Sequence, residues 1–115
     1  MVRRAQRVSE LLRQELSSIF QTLRDPRLQA IISITRIQTS DDLSHAKVYI
    51  SVLGSSKQKT EASECLNAAS GYIRKELRGV IALRRIPGLS FSIDDSMEKA
   101  EAIQRMMDDF SPEEQ

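Results

Sequence analysis

The stretch from Asn67 to Arg85, NAASGYIRKELRGVIALRR, carries the pattern on which the fold turns. Ala62, Cys65, Leu66, Ala69, Ile73, Leu77, Val80 and Ile81 recur at helical spacing and form one apolar stripe. The stripe keeps its phase across Gly71, which predicts a single helical unit bent at that glycine. Gly71 and Gly79 each cost a helix interior about 1 kcal/mol relative to alanine. They stand where positive charge is densest, among Arg74, Lys75, Arg78, Arg84 and Arg85. Two explanations are open for Gly71: a ligand comes close to the backbone there, or the bent helix packs tightly on a sheet. Gly79 has its own reading, as the C-terminal end of the second half-helix.

Upstream of this unit, Ala5, Val8, Leu11, Leu12, Leu16, Ile19, Phe20 and Leu23 mark a first helix over residues 5–24. Arg3, Arg4, Arg7 and Arg13 fall off its stripe or before it, and Asp25-Pro26 stops it. A strand over Ile32–Thr39 follows. Ile34 and Ile37 lie three apart, so they point to opposite faces unless a bulge intervenes. TSDDLSH is a turn with Asp41 and Asp42 as its polar residues, and AKVYISVL is a second strand with Ala46, Val48, Ile50 and Val52 on one face. The short polar connection predicts an antiparallel hairpin.

Downstream, RIPGL is a loop and Leu89, Phe91 and Ile93 alternate in a third strand, with Phe91 facing the core. Asp95 and Glu98 are placed to form a capping box on a last short helix, whose apolar side is Met97, Ala100, Ile103 and Met106. SPEEQ is expected to fray. The fold class is therefore α+β: one domain over residues 1–110, with helices on one face of a three-stranded sheet and a flexible acidic tail at 111–115. No surplus apolar patch is expected, and hence a monomer.

The 115 residues suffice for one domain, and the single cysteine, Cys65, excludes an internal disulfide and reads as a small buried residue. No apolar run is long enough to span a bilayer, and MVRRAQRVSELL has no apolar signal region, which favours the cytoplasm. Enzyme chemistry finds no support. His45 is the one histidine, no set of ligands suggests a metal, and the four glycines form no phosphate-gripping loop, so no cofactor is expected.

The formal net charge of +1 conceals a strong asymmetry. Residues 1–36 and 72–93 each carry +4, residues 37–71 carry −1, and residues 94–115 carry −6. Basic regions of this kind suit an anionic partner. If residues 74–85 are helical throughout, Arg74, Arg78 and Arg85 fall within about 40° of one another, with Lys75 close by. A row of arginines matches phosphate oxygens better than lysines do.

RAQRVSELLRQELSSIF, DPRL, DLSHAKVYISVLG, AASGYIRKELR and LRRIPGLSFSIDDSMEKAEAI, in this order and spacing, resemble the bacterial ribosome-binding factor A family over residues 2 to about 107. The resemblance implies a type II KH fold in which an Ala-x-Gly kink, here Ala69-Ser70-Gly71, replaces the glycine loop between two helices. It implies a non-catalytic assembly factor that binds the small (30S) ribosomal subunit and its 16S rRNA during late maturation and rRNA processing. A maturation GTPase would assist its release, and it would matter most in the cold. The residues expected at RNA are Arg3, Arg4, Arg7, Gly71, Arg74, Lys75, Arg78, Arg84 and Arg85. Gly88, Ala100 and Ala102 depart from the family pattern, where an acidic residue, a glycine and an arginine are usual. The alternatives are a KH-like module that binds an acidic protein, or a general nucleic-acid-binding domain. No interleaved Tyr/Phe set for reading bases is evident.

Overall fold

A computed structural model describes residues 2–23, 25, 28 and 31–110, with side chains left undescribed at 2, 3, 31, 97, 98 and 110. The elements are α1 (Val2–Thr22), β1 (Ile31–Thr39), β2 (His45–Leu53), α2 (Ser56–Ala68), α3 (Ser70–Val80), β3 (Gly88–Ile93) and α4 (Ser96–Phe110). The strands lie in the order β1-β2-β3, with β1 antiparallel and β3 parallel to β2. This is the expected α+β class, with a mixed sheet.

The core forms on one sheet face. Ala46, Val48 and Ile50 are fully buried, and so are Leu12 and Leu16 of α1, Leu66 of α2, and Ile73 and Leu77 of α3. Phe91 is buried with its ring 5.9 Å from that of Phe20, and Cys65 is buried, both as expected. The apparent conflict between Ile34 and Ile37 is resolved by a bulge. Ile34 pairs with Ile50, whereas Arg36 pairs with Tyr49, so Thr35 is the extra residue. Ile37 then pairs with Val48 and returns to the core side.

The hairpin turn depends on Asp42, whose carboxylate accepts from Ser40 Oγ, Ser44 Oγ and Ser44 N at 2.8–3.1 Å. These bonds, that from the Ser44 hydroxyl foremost, hold the Asp42 carboxyl at a pKa of about 2. Leu43 takes the positive φ of 61° that the turn requires and packs its side chain against the core. At the start of α2, Ser55 and Gln58 form a capping box: Gln58 N donates to Ser55 Oγ, and Ser55 N donates to Gln58 Oε1.

Four expectations need correction. The helical unit breaks within the expected Ala69-Ser70-Gly71 kink, but at Ala69, whose φ of −89° and ψ of 4° end α2 and begin α3, and not at Gly71, which lies inside α3. Val80 leaves the apolar stripe at 59% exposure, because the helix ends there and Ile81 turns inward on extended backbone. Residues 81–85 are consequently not helical, so Arg84 and Arg85 share no helix with Arg74. The last helix is 15 residues long, not short, and its expected apolar side is exposed: Ala100 is in solvent, with Ile103 and Met106 at 56% and 57%, and Met107 beside them stands at 60%. Among the described residues, α4 contributes nothing to the core. It extends a molecule whose radius of gyration is 17.2 Å, where about 13 Å is usual for 100 compact residues. The capping box with Glu98, the stop at Pro26 and the tail at 111–115 lie outside the described residues.

Candidate nucleic-acid interface

The site is built where α3 hands over to β3. Ile73 and Leu77 bury one side of α3, and by helical geometry Gly71, Lys75, Arg78 and Gly79 lie on the opposite side. All four are exposed. Neither glycine has positive φ, and a Cβ added to either would meet nothing within 4 Å. Close packing therefore does not explain Gly71. Gly79 sits inside the last helical turn and is no left-handed cap. What the two glycines share is bare backbone on the basic side of α3.

The loop after α3 alternates anchors and charges. Ile81, Ile86 and Pro87 are buried and Leu83 packs against the core, while Arg84 and Arg85 between them are exposed. Arg74 is half-buried and its Nη2 donates to Ile86 O at 2.8 Å, tying the loop back onto α3. Its Nε is buried without a hydrogen-bond partner. Arg74, Arg78, Arg84 and Arg85 thus line one open concavity with Leu83 and Ile86. Sequence reasoning groups these arginines on a false premise, a continuous helix. The loop's apolar anchors bring them together instead. The same reasoning gives Arg74 only a phosphate contact, whereas it also holds the loop in place.

Arg4 and Arg7 are exposed on α1, and the side chain of Arg3 lies outside the described ones. The start of α1 sits at the hairpin end of the sheet, where Ser9 Oγ lies 2.7 Å from Thr39 Oγ1. The Arg84–Arg85 loop enters β3 at the same end, since Gly88 pairs with His45. Among the described residues, Arg4 and Arg7 line no part of the arginine concavity. Arg13 serves the bulge in β1, where its guanidinium donates to Ile34 O at 3.0 Å and to Thr35 O at 3.4 Å.

Several contributors escape a reading of the sequence. Asn67 brackets Phe91 through two bonds of 2.9 Å, Nδ2 donating to Phe91 O and Phe91 N donating to Oδ1, which seats the kink against β3. On the uncovered sheet face, the Arg36 guanidinium carbon lies 4.0 Å from the centre of the Tyr49 ring, with Lys47 Nζ at 5.2 Å. The spacing of Ile34 and Ile37 hints at a bulge but does not say which residue is extra, so Arg36 gives no signal there. His45 Nε2 lies 3.2 Å from Ser90 Oγ, a contact with no carboxylate in it.

Comparison with known proteins agrees with this geometry. The family model described as ribosome-binding factor A matches residues 4–107. A ribosome-binding factor A from Acetivibrio thermocellus is 40% identical over 109 residues, 94% of this chain and 89% of that one. The crystal structure of ribosome-binding factor A from Thermus thermophilus superposes with a TM-score of 0.69 at 25% identity, covering 77% of this chain and 93% of that one. A Thermus thermophilus ribosome-binding factor A homology model, fitted into a cryo-electron microscopy map of a 30S complex, gives a TM-score of 0.64 at 25% identity, covering 76% and 91%.

Proposed function

Because the chain belongs to the ribosome-binding factor A family, we propose that it binds the small (30S) ribosomal subunit through its 16S rRNA and assists late maturation and rRNA processing. The observation that carries this reading is the concavity of Arg74, Arg78, Arg84 and Arg85, together with the exposed glycines of α3. Guanidinium forks bind phosphate oxygens in pairs, and bare backbone lets a sugar-phosphate chain come close. The relative fitted into a 30S complex supports the choice of partner.

The action is non-catalytic. Binding energy spent on one rRNA conformation shifts the folding equilibrium toward it. In this reading residues 1–110 are a single type II KH-like domain, with the kink at Ala69-Ser70-Gly71 standing between its paired helices. Arg3, Arg4, Arg7 and Lys75 supply further cationic contact around the concavity. The protein works in the cytoplasm as a monomer. A maturation GTPase assists release, and the requirement is greatest in the cold, when misfolded rRNA rearranges slowly.

Co-sedimentation with ribosomal particles at graded salt tests the reading. Retention on immature 30S particles over 70S ribosomes, falling steeply as salt rises, is expected. Equal retention on both particles, or retention indifferent to salt, would overturn it.

A further inference from the structure

We propose that the uncovered sheet face is a second RNA contact, where an unpaired nucleobase stacks on the outward plane of Arg36. The inference rests on the RNA-binding reading and extends it to the face opposite the helices.

The bulge creates this site. With Thr35 inserted, both Thr35 and Arg36 oppose Tyr49, and Arg36 leaves the core side for the open one. The bulge is pinned by Thr35 Oγ1, which donates to Asp94 Oδ2 at 2.6 Å and lies 3.2 Å from Tyr49 O. Arg13 holds the carbonyls of Ile34 and Thr35 from the other side. Tyr49 is half-buried and fixed in the central strand, and the Arg36 guanidinium rests on it at 4.0 Å. A cation so held keeps one planar face toward solvent.

The chemistry selects a base more than a phosphate. The Arg36 guanidinium is committed to the Tyr49 ring, which fixes its plane and leaves it less free to turn its fork toward a phosphate. What remains is a rigid, pre-oriented plane, and unpaired bases stack on arginine planes as they do on aromatic rings. Lys47, exposed beside Tyr49, is placed for the phosphate next to such a base. The absence of interleaved aromatics is thereby met with a platform of one ring and one guanidinium. A backbone held at Arg84–Arg85 has a short path to it, because that loop runs directly into β3, whose Ser90 and Ser92 pair with Lys47 and Tyr49.

The test uses the full chain and two RNA probes of ten nucleotides, oligo(A) and an abasic strand of equal charge, with binding read by fluorescence anisotropy. The wild type should bind oligo(A) roughly tenfold more tightly than the abasic strand, within the range known for single-base stacking. Arg36→Lys keeps the charge and removes the plane. It should erase that ratio while leaving abasic binding and the circular dichroism spectrum unchanged. A ratio near one in the wild type, or a full ratio in Arg36→Lys, overturns the proposal. Weaker 30S retention in Arg36→Lys with the ratio intact also overturns it, assigning the face to a ribosomal protein. Abasic binding lost only on charge reversal at Arg78, Arg84 and Arg85 concerns the phosphate site and leaves the stack to its own ratio. Binding of neither strand by the wild type overturns the proposal, and the separate 30S titration then decides the RNA-binding reading.

Discussion

The helices α3 and α4 are both amphipathic, at 11 and 15 residues, yet Ile73 and Leu77 of α3 are fully buried while Ile103, Met106 and Met107 of α4 stand in solvent. Their charges are opposed as well. α3 and the loop after it carry Arg74, Lys75, Arg78, Arg84 and Arg85 against Glu76, whereas α4 carries Glu98, Glu101, Asp108 and Asp109 against Lys99 and Arg105. The difference lies in the sheet. Three strands of six to nine residues offer one covered face, and α1, α2 and α3 fill it. A helical period shows that a helix has an apolar side, but the area left on the sheet decides whether the domain covers it.

The sharpest way to test this contrast is to reverse charge on each side of it. Arg78→Glu, Arg84→Glu and Arg85→Glu combined should abolish most 30S retention at physiological salt. Mere loss of three phosphate contacts lowers the salt slope by about 2–3, and reversal adds repulsion. All three residues are exposed, so the melting temperature should hardly move. Reversal of Lys99 and Arg105 on α4 is the matched control and should matter far less. Equal losses would mean that overall charge, not the concavity, governs binding.

Within α3, Arg74→Ala should cost about 1.5–3 kcal/mol of stability in a urea titration, as expected for a lost hydrogen bond to a charged donor. Lys75→Ala, one residue on and exposed, should stay within about 0.5 kcal/mol. A neutral Arg74→Ala would show that the Ile86 carbonyl does not need its donor. Gly71→Ala should be smaller and of opposite sign, stabilising by up to about 1 kcal/mol, since the added methyl meets nothing. It should nonetheless weaken 30S binding. Unchanged affinity would mean that no ligand approaches that backbone.

Acid should act at the root of α4 and at the hairpin turn. The pKa values of Asp94 and Asp42 are lowered from 3.8 to about 2, chiefly by the hydroxyls of Thr35 and Ser44 respectively. A folded value below the unfolded one gives stability that is present above about pH 4 and lost as pH falls toward 2. Asp94→Asn should flatten that part of a stability–pH curve, and an unaltered curve would count against the Thr35 bond. Smallest of all, removal of residues 96–115 should leave the melting temperature nearly unchanged, and removal of 111–115 even more so. A drop of many degrees would show that α4 is covered in solution.

Much of the architecture is legible in the sequence because burial and periodicity coincide. The stripe of α1, the alternation of β2 and the continuous phase from Ala62 to Leu77 each correspond to buried side chains. Non-local geometry is not legible. The resemblance places a kink at Ala69-Ser70-Gly71, but no propensity marks Ala69 as the residue that breaks the helix, and Arg36 reaches the open face only through a bulge fixed by Asp94, 59 residues from Thr35. The arginine concavity is visible in its members but not in its cause, since Ile81, Ile86 and Pro87 look like ordinary loop residues until burial shows them as anchors.

The paired bonds of Asn67 to Phe91 have a consequence for solubility. β3 ends the sheet, and an unpaired edge invites the strand of another molecule. Asn67 presents one carbonyl and one amide to the edge, as a neighbouring strand would, and so occupies the middle of β3 with a single side chain. Asn67→Ala should then reveal itself less in the melting temperature than in turbidity on prolonged heating, where edge-to-edge association becomes open to the chain.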